Sequence, residues 1–291
     1  MEKAKLVVVF PIYNGERTML QSLECISRQD FKSFRAIILE NRSTDRSLEI
    51  AEEFCRTDDR FEVIQNEEHL KVIDNFLKAI EIGSRRGEYF CLRACDDLST
   101  PDYLSKLLKA LEEDKNKLLA AASTRRVSPK EERIINPAAE VLSFWEHATS
   151  GDKLKGLWFP SEWFYGIYRS NGAPEILKER LPKLRSPWCV ASYTVAEFVI
   201  RGLVVWVEGP KYIFVEGSTS EKVYAAKSLF EKFRQRWDYT IGCYRVLEKM
   251  PPLPLSLRRR LFKMFWKDSG WKTRYRLRRH VRGRFETLFG R

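Results

Sequence analysis

The sequence lacks any apolar run near the roughly 18–20 residues that a membrane-spanning helix needs, and it begins without the apolar stretch of a secretion signal. It also lacks a Cys-x-x-Cys pair and internal repeats. Cys91 and Cys95 are close in sequence, but no histidine or second cysteine pair accompanies them, which disfavours a metal site. The six cysteines are therefore expected to be free thiols in a cytoplasmic protein.

Acidic residues are scarce in one part of the chain, its C-terminal end. Residues 255–291 carry 13 Lys and Arg against Asp268 and Glu286, a net charge of +11, while the whole chain carries +12. The proline-rich stretch 251–254 precedes this basic segment and indicates a boundary. We therefore predict a domain at residues 1–250 and a basic amphipathic tail at 251–291.

The tail has apolar and basic residues at helical spacing. Leu261, Phe262, Phe265 and Trp266 alternate with Arg and Lys side chains. A basic helix with an aromatic face is typical of a segment lying on an anionic membrane, so residues 255–291 are predicted to contact such a surface. Docking of the same apolar residues on the rest of the protein is the alternative. Nucleic acid binding is disfavoured, because the basic residues are confined to one segment instead of following a groove.

Apolar strands and amphipathic helices alternate through residues 1–122. The predicted strands are 5–10, 34–40, 61–65, 89–92 and 118–122, and the predicted helices are 16–28, 45–56, 71–86 and 101–114. After a less regular aromatic region, a helix is predicted at 190–201 and a strand at 203–207. This alternation predicts an α/β fold with a mostly parallel sheet flanked by helices.

Two short stretches place polar residues where predicted strands end. The apolar run of VVVFPIYNGE (7–16) breaks at Pro11 and opens into a turn. In RACDDLSTPDYL (93–104), the carboxylates of Asp96 and Asp97 follow directly on an apolar strand. The carboxyl ends of strands are the usual ligand positions in open α/β sheets. Because Mg²⁺ is held by one or two carboxylates and substrate phosphates, the stretches predict a site for a diphosphate and its cation.

The order of the motifs resembles the family-2 glycosyltransferases of the GT-A fold. That family typically shows an apolar strand with P-x-Y-N-x-E, a second strand with two acids, an Asn-containing loop, G-E-Y, and an acidic motif before P-D. The corresponding stretches here are VVVFPIYNGE, AIILENRSTD (36–45), Asn66 and Asn75, Gly87-Glu88-Tyr89, Cys95-Asp96-Asp97, Pro101-Asp102 and WFYGIYR (163–169). The resemblance covers about residues 5–215 and implies a nucleotide-sugar half at 1–122 and an acceptor half at 123–250.

The resemblance implies donor-binding roles for particular residues. Tyr13 is expected to stack on the nucleobase, and Asp96 is expected to hold a divalent cation, Mn²⁺ or Mg²⁺. Glu40 and Asn41 occupy the positions of the family's two acids, and Asn41 would accept the uracil N3–H more weakly than a carboxylate does. The residues expected to bind the nucleotide sugar are Pro11, Tyr13, Asn14, Glu16, Glu40, Asn41, Asn75, Asp96 and Asp97.

The position of the catalytic base departs from the family pattern. The acid that usually stands before a tyrosine in the late segment is Ser192 here, and a serine hydroxyl is no general base without an activating partner. Glu162, Glu197 and Asp152 are the candidate replacements. Three explanations stay open: another acid took over, the protein binds its donor but transfers poorly, or the alignment slips at this position.

The resemblance implies an inverting glycosyltransferase with a UDP-sugar donor and a glycan or lipid-linked acceptor in bacterial surface polysaccharide synthesis. With its basic tail, the enzyme would be cytoplasmic and peripheral on the inner face of the membrane. Ser192, and Ala94 in place of the family's first acid, motivate an alternative, a non-catalytic nucleotide-sugar or glycan-binding protein. A nucleic-acid-binding protein is the other alternative, although no nucleic acid partner is expected.

Overall fold

A computed structural model of the chain describes residues 3–150, 156–184, 187–216, 224 and 226–273. Asp152 and the last part of the basic segment, residues 274–291, lie outside this described part. The candidate role of Asp152 as a base therefore stays a prediction.

Nine strands in the described residues form one mixed sheet. They are β1 (Ala4–Ile12), β2 (Phe34–Glu40), β3 (Phe61–Gln65), β4 (Gly87–Leu92), β5 (Leu98–Ser99), β6 (Leu119–Val127), β7 (Glu132–Ile135), β8 (Ile167–Arg169) and β9 (Val204–Val215). The order is β3-β2-β1-β4-β8-β6-β9-β5, with β7 paired to β6. Neighbouring strands from β3 to β4 run parallel, as do β6 and β9. The remaining pairs are antiparallel.

Helices cover both faces of the sheet. They are α1 (Met19–Ser27), α2 (Ser47–Thr57), α3 (Val72–Arg86), α4 (Tyr103–Glu113), α5 (Ala139–Leu142), α6 (Phe144–Thr149), α7 (Ala173–Arg180), α8 (Val190–Ile200), α9 (Leu229–Val246) and α10 (Leu255–Lys272). One hydrophobic cluster joins α1, α2 and α4 to the sheet, and a larger one joins α3 and α5–α10 to its other face. The predicted α/β fold is confirmed. None of the described helices is long and apolar enough to cross a bilayer.

The continuous apolar run near the N-terminus forms β1, a central strand of the sheet. Val7, Val8, Val9 and Phe10 are all buried, since a central parallel strand is covered by helices on both faces. The strand extends further than predicted, because Pro11 still pairs with Leu39 of β2 and the turn begins only after Ile12.

The end of the chain corrects the predicted role of the tail. Helix α10 buries Leu261, Met264 and Phe265 in the larger hydrophobic cluster, and the Phe265 ring lies 6.3 Å from the Phe144 ring. The prediction that Leu261 and Phe265 face a membrane is wrong, because packing leaves them almost no exposed surface. The docking alternative describes them correctly. In its described part, the tail therefore shares one core with the preceding chain.

Candidate active site

The turn after β1 is tied to the segment that follows β2. Asn14 adopts a left-handed backbone with φ of 53°. Its Oδ1 accepts a hydrogen bond of 2.8 Å from the Thr44 N–H, and its own N–H donates to Ser43 Oγ at 3.0 Å. Asparagine tolerates this backbone conformation better than most residues. Asn14 therefore holds the shape of the turn with both its backbone and its side chain.

Glu16 orders the same turn from its other end. The Glu16 N–H donates to Asp45 Oδ2 at 3.1 Å, and Glu16 Oε2 accepts from the Arg46 N–H at 3.1 Å. Asp45 Oδ1 accepts from the N–H and the hydroxyl of Ser47, at 3.0 and 2.6 Å. Burial would raise the pKa of Asp45, but these hydrogen bonds outweigh it and the pKa is lowered. The structure thus shows a loop-ordering role for Glu16.

Glu40 is buried and has its carboxylate turned back onto the chain. Oε1 accepts from the Ser43 N–H at 2.6 Å, and Oε2 accepts from the Arg42 N–H and from Gln65 Nε2, both at 3.0 Å. Burial raises its pKa, yet these hydrogen bonds prevail and the net pKa is lowered. An ionised Glu40 therefore shapes the floor of the site and has little capacity left for a ligand.

Asn41 corrects one expectation for nucleobase recognition. Its Oδ1 accepts hydrogen bonds of 2.8 Å from both Asn66 Nδ2 and the Leu70 N–H, and its Nδ2 donates to the Leu70 carbonyl at 2.9 Å. Asn66 Nδ2 also donates to Asn75 Oδ1 at 2.9 Å. All three Asn side chains are buried. The amide oxygen of Asn41 is therefore occupied within the protein and is not presented to a uracil N3–H, and Asn75 belongs to the same internal network.

Tyr13 and His69 form the aromatic wall of the site. The Tyr13 side chain is 46% exposed, and its ring centroid lies 4.4 Å from that of His69. His69 Nδ1 lies 3.0 Å from the carbonyl oxygen of Asn41. Because a carbonyl only accepts, Nδ1 carries the hydrogen, and Nε2 of the neutral ring is left as an acceptor. Sequence reasoning missed His69, although it belongs to the Asn-containing loop of the family pattern.

In the turn after β4, the carboxylate of Asp97 is directed to β9 by two hydrogen bonds. Asp97 Oδ2 accepts from the Tyr212 hydroxyl at 2.9 Å, and Oδ1 accepts from the Val215 N–H at 3.1 Å. Burial, together with the charge of Asp96, raises the pKa of Asp97 to about 7. The buried Arg93 guanidinium lies 4.7 Å from the Tyr212 ring centroid and brings positive charge nearby. Asp97 therefore anchors the turn to β9.

Asp96 is the carboxylate that this turn presents. It is half-buried, and in the described residues its carboxylate accepts a hydrogen bond from its own backbone and from no other residue. Ser22 of α1 holds the turn from behind, since its hydroxyl lies 2.9 Å from the carbonyl oxygens of Ala94 and Asp97. Burial raises the pKa of Asp96. The fold thus supports the turn on both sides and leaves the oxygens of Asp96 available to a ligand.

The turn with Tyr13 and the turn with Asp96 are in contact. A Cβ atom placed on Gly15 would lie 3.2 Å from both Cys95 Sγ and Ile12 Cγ2, so a side chain at this position would push the turns apart. The Gly15 N–H also donates to Ser47 Oγ at 2.8 Å. The two stretches singled out in the sequence therefore form one site at the carboxyl edge of the parallel strands.

The residues present fit a divalent cation that arrives with a diphosphate. Among the described residues, no three His, Cys, Asp or Glu side chains converge as a ready cation cage. Mg²⁺ needs no such cage, because it keeps several waters and binds through one or two carboxylates and substrate phosphates. Asp96 supplies one free carboxylate. A cation there would also offset the negative charge of two neighbouring, partly desolvated acids, Asp96 and Asp97.

Glu162, a predicted replacement base, is buried and already paired. It lies in the 3₁₀ turn Ser161–Tyr165, and its Oε1 accepts from Arg126 Nη2 at 2.6 Å. Its Oε2 lies 3.4 Å from the Thr124 hydroxyl. Both oxygens therefore have partners on β6, and proton transfer to Glu162 would require it to give up the bond to Arg126.

Glu197 corrects a second expectation. Its buried carboxylate lies 3.2 Å from Arg201 Nη1, 2.9 Å from Lys249 Nζ and 3.7 Å from Arg180 Nε. It therefore joins α8 to α7 and to the segment after α9, while Ser192 lies five residues nearer the start of α8. A carboxylate held by three cations in this position serves the fold and not proton transfer.

The end of α10 lies beside the start of α8. Cys189, which directly precedes α8, donates from its thiol to the Lys272 carbonyl at 3.3 Å. Lys272 Nζ donates to the Phe159 carbonyl at 3.3 Å. Asp268 lies one turn earlier on α10 and is buried. Sequence reasoning assigned α10 to the tail and overlooked Asp268, because nothing in the local pattern indicates which element the helix packs against.

An open α/β sheet binds its ligands at the carboxyl edge of its strands, and here that edge carries an aromatic wall and a free carboxylate. The sequence profile of the family described as Glycosyl transferase family 2 matches residues 7–169. The chain belongs to glycosyl transferase family 2, as the order of motifs predicted.

Curated relatives support the same family. The chain is 27% identical over 148 residues to an uncharacterized glycosyltransferase of Haemophilus influenzae, covering 50% of this chain and 45% of that protein. It is 32% identical over 113 residues to the putative glycosyltransferase EpsE of Bacillus subtilis, covering 38% of this chain and 40% of that protein. The chain thus spans less than half the length of these two relatives.

Solved structures share the fold. S. aureus TarS 1-349, in complex with UDP-GlcNAc, matches with a TM-score of 0.64 at 15% identity, covering 92% of this chain and 72% of that chain. The mannosyltransferase PcManGT from Pyrobaculum calidifontis, in complex with GDP-Man and Mn²⁺, matches with a TM-score of 0.51 at 13% identity, covering 94% of this chain and 73% of that chain. At these identities the likeness establishes the fold alone, and it confirms the predicted GT-A architecture.

Proposed function

We propose that the protein is an inverting glycosyltransferase that moves a sugar from a UDP-sugar to a hydroxyl of a glycan or a lipid-linked acceptor. The observation that carries this proposal is the free Asp96 carboxylate, which lies at the end of β4 in the same site as Tyr13. Family membership supports the reaction class, and the UDP-GlcNAc bound by TarS supports the donor class.

Recognition of the donor's nucleobase depends on Tyr13 and His69. Stacking on an exposed aromatic ring binds any nucleobase, so it gives affinity without selectivity. His69 Nε2 adds an acceptor next to the Tyr13 ring, and uracil offers an N3–H to such an acceptor. Because the amide oxygen of Asn41 is already occupied, His69 Nε2 would accept the uracil N3–H instead. This hydrogen bond favours a UDP-sugar over donors whose nucleobase lacks such an N–H.

Catalysis would be a single in-line displacement. Asp96 would hold the cation, Mn²⁺ or Mg²⁺, which when bound would neutralise charge on the departing diphosphate. Ser22 and Asp97 keep the Asp96 turn in place, so the carboxylate needs no rearrangement when the donor binds. A base removes the acceptor proton as the acceptor oxygen attacks the anomeric carbon, and one displacement inverts its configuration.

The acceptor side of the proposal includes an anionic membrane surface. Phe230 and Trp237 of α9 are 69% and 46% exposed, and the Trp266 ring of α10 lies 6.2 Å from that of Trp237. Lys263 and Lys267 are exposed on either side of Trp266. A basic surface with aromatic side chains binds anionic lipid, with about 1 kcal/mol per basic residue. Sedimentation of the protein with anionic but not neutral vesicles would support this contact. Equal sedimentation with both kinds of vesicle would refute it.

Thermal denaturation with nucleotide sugars tests the proposed function. A ligand that binds only the native state at 100 times its Kd stabilises it by about 2.7 kcal/mol. UDP-sugars with Mn²⁺ are therefore expected to raise Tm, ADP-sugars to raise it less because adenine offers no ring N–H to His69, and EDTA to abolish the shift. No shift with any UDP-sugar would contradict the proposal.

A second candidate function is favoured by one observation. Ser192 replaces the usual acid, and Glu162 and Glu197 are both paired within the protein. A binding protein without transferase activity on the same fold would show the thermal shift but release no UDP from a UDP-sugar. Measurement of UDP release therefore separates the two candidates.

A further inference from the structure

We propose that Asp268, supplied by the C-terminal helix α10, is the general base that removes the proton from the acceptor hydroxyl. This inference rests on the proposed function and deepens it. Helix α10, which was predicted to lie in a separate tail, would then contribute a residue to the catalytic site.

The other acids near the site have partners. Glu162 accepts from Arg126 at 2.6 Å, Glu197 is held by three cations, and Asp97 accepts from Tyr212 and Val215. Asp96 is placed to meet the cation. A general base needs an oxygen with a free lone pair facing the proton that it takes.

Asp268 has such an oxygen. The residue is 5% exposed, and its Oδ2 is buried without a hydrogen-bond partner in the described residues. Its other oxygen lies against the backbone of Gly156, and the Leu157 N–H donates to the carboxylate. The hydroxyl of Tyr239 is also buried, and within the described part of the chain it has no hydrogen-bond partner. The charge of Asp268 raises the pKa of Tyr239, so the two groups are near each other. Buried polar groups are normally paired, and two neighbouring unpaired ones indicate a place for the hydroxyl groups of a ligand.

Asp268 lies on the part of α10 that meets the start of α8, the helix on which the family's usual acid stands. Residues three or four apart on a helix lie on the same face. The side chains of Asp268 and Lys272 therefore share a face of α10, and the backbone carbonyl of Lys272, at the end of that helix, accepts from the Cys189 thiol at the start of α8. Ser192 shares the corresponding face of α8 with Cys189. Tyr239, which is near enough to Asp268 for the carboxylate charge to raise the pKa of its hydroxyl, has its ring 5.6 Å from the ring of Tyr193, the neighbour of Ser192 on α8.

The proton transfer balances without another reactant. As the acceptor O–H bond breaks, its proton goes to Asp268 Oδ2 and the acceptor oxygen bonds to the anomeric carbon. The bond from that carbon to the diphosphate breaks, and the electron pair leaves with UDP. Burial raises the pKa of Asp268 to about 6, with Lys272 opposing the rise, so the carboxylate is ionised at neutral pH.

The charged and titratable groups that face this carboxylate come from several elements. They are Lys272 on α10 and Tyr239 and Cys243 on α9, with Cys189, Glu162 and Arg126 beyond Lys272. Burial raises the pKa of Tyr239 far above its ordinary value, so that hydroxyl stays neutral. Burial lowers the pKa of Lys272 below its ordinary value of 10.5, and the charge of Asp268 opposes this shift.

The test compares Asp268→Asn with wild type by UDP release from UDP-GlcNAc and water, and by calorimetry of UDP with Mn²⁺. We expect kcat to fall about 100-fold or more while UDP affinity is unchanged. Wild-type kcat should rise with pH through about 6, and this rise should be absent in Asp268→Asn. Asp268→Glu should restore part of the activity. Ser269→Ala, which removes a buried hydroxyl from the next position of α10, is the matched control and should keep kcat.

Two results would overturn the assignment. One is an Asp268→Asn protein with wild-type kcat. The other is a wild-type kcat with no dependence on pH between about 5 and 7. This measurement needs no variant, so it tests the proposal even where Asp268→Asn fails to fold. Loss of UDP binding in the wild type would refute the proposed function, and this inference with it.

Discussion

Helix α10 belongs to the core, and a pair of leucines on that helix tests this directly. Leu261 is 1% exposed and Leu255, at the start of the same helix, is 63% exposed. Leu261→Ala removes buried methyl groups and leaves a cavity, so it should lower the free energy of unfolding by about 2–5 kcal/mol. Leu255→Ala changes a surface side chain and should alter it by less than about 0.5 kcal/mol.

Urea denaturation followed by intrinsic fluorescence measures both variants. Removal of the whole helix should have a larger effect, because Leu261, Met264 and Phe265 together contribute about 6 kcal/mol of burial, on the scale of the net stability of a domain. A chain ending at Met250 should therefore fail to fold. Equal stability of the two leucine variants, or a folded and donor-binding truncation, would refute the packing of α10 and restore the membrane interpretation of its apolar residues.

Three further predictions concern single side chains. Glu197→Gln should destabilise the fold by about 3 kcal/mol in urea, because it removes the carboxylate that faces the buried guanidinium of Arg180, and kcat per folded molecule should stay at the wild-type value. Asp58→Asn should cost about 2 kcal/mol at pH 7, since Arg60 lowers the pKa of Asp58 from 3.8 to about 2. That contribution is present above pH 4 and lost as pH falls towards 2, so the curves of stability against pH should converge there. His69→Ala should weaken UDP binding about 10-fold in calorimetry, and an unchanged Kd would exclude His69 from base recognition.

Local patterns were sufficient to predict the parallel half of the sheet. The continuous apolar run of β1 and the acids directly after β4 identify buried strands and the edge at which ligands bind, because both signals lie within a few neighbouring residues. The turn with Tyr13 and the turn with Asp96 were predicted to form one site, and the tight contact between Gly15 and Cys95 is consistent with that prediction.

Roles that depend on distant partners were not predictable. Asn41 is occupied by Asn66 and by the backbone of Leu70, and Glu197 is paired with Lys249, which lies 52 residues away. Nothing in a single sequence specifies such pairings, because the partners come together only when the chain folds. An amide or carboxylate at a motif position therefore indicates where a ligand group belongs, but the tertiary contacts decide whether its atoms are free.

The same reasoning explains the error over the tail. Leu261 and Phe265 form an apolar stripe that suits a lipid surface and a protein core equally well, and the abundance of arginine and lysine nearby favoured the lipid surface. The decisive fact is that α9 and the sheet offer a matching apolar face. Asp268 was overlooked for the same reason, since it is one of two acids in a strongly basic segment.

The most direct test of the central claim is calorimetry of UDP-GlcNAc with Mn²⁺ against wild type, Asp96→Asn and Asp102→Asn. Asp102 pairs with Lys106 at 2.7 Å at the start of α4, so its variant controls for the loss of a charge in the same segment. The account predicts that Asp96→Asn weakens binding at least about 10-fold, equivalent to about 1.4 kcal/mol, while Asp102→Asn leaves it unchanged. Equal affinity of wild type and Asp96→Asn would contradict the assignment of Asp96 to the cation and the diphosphate.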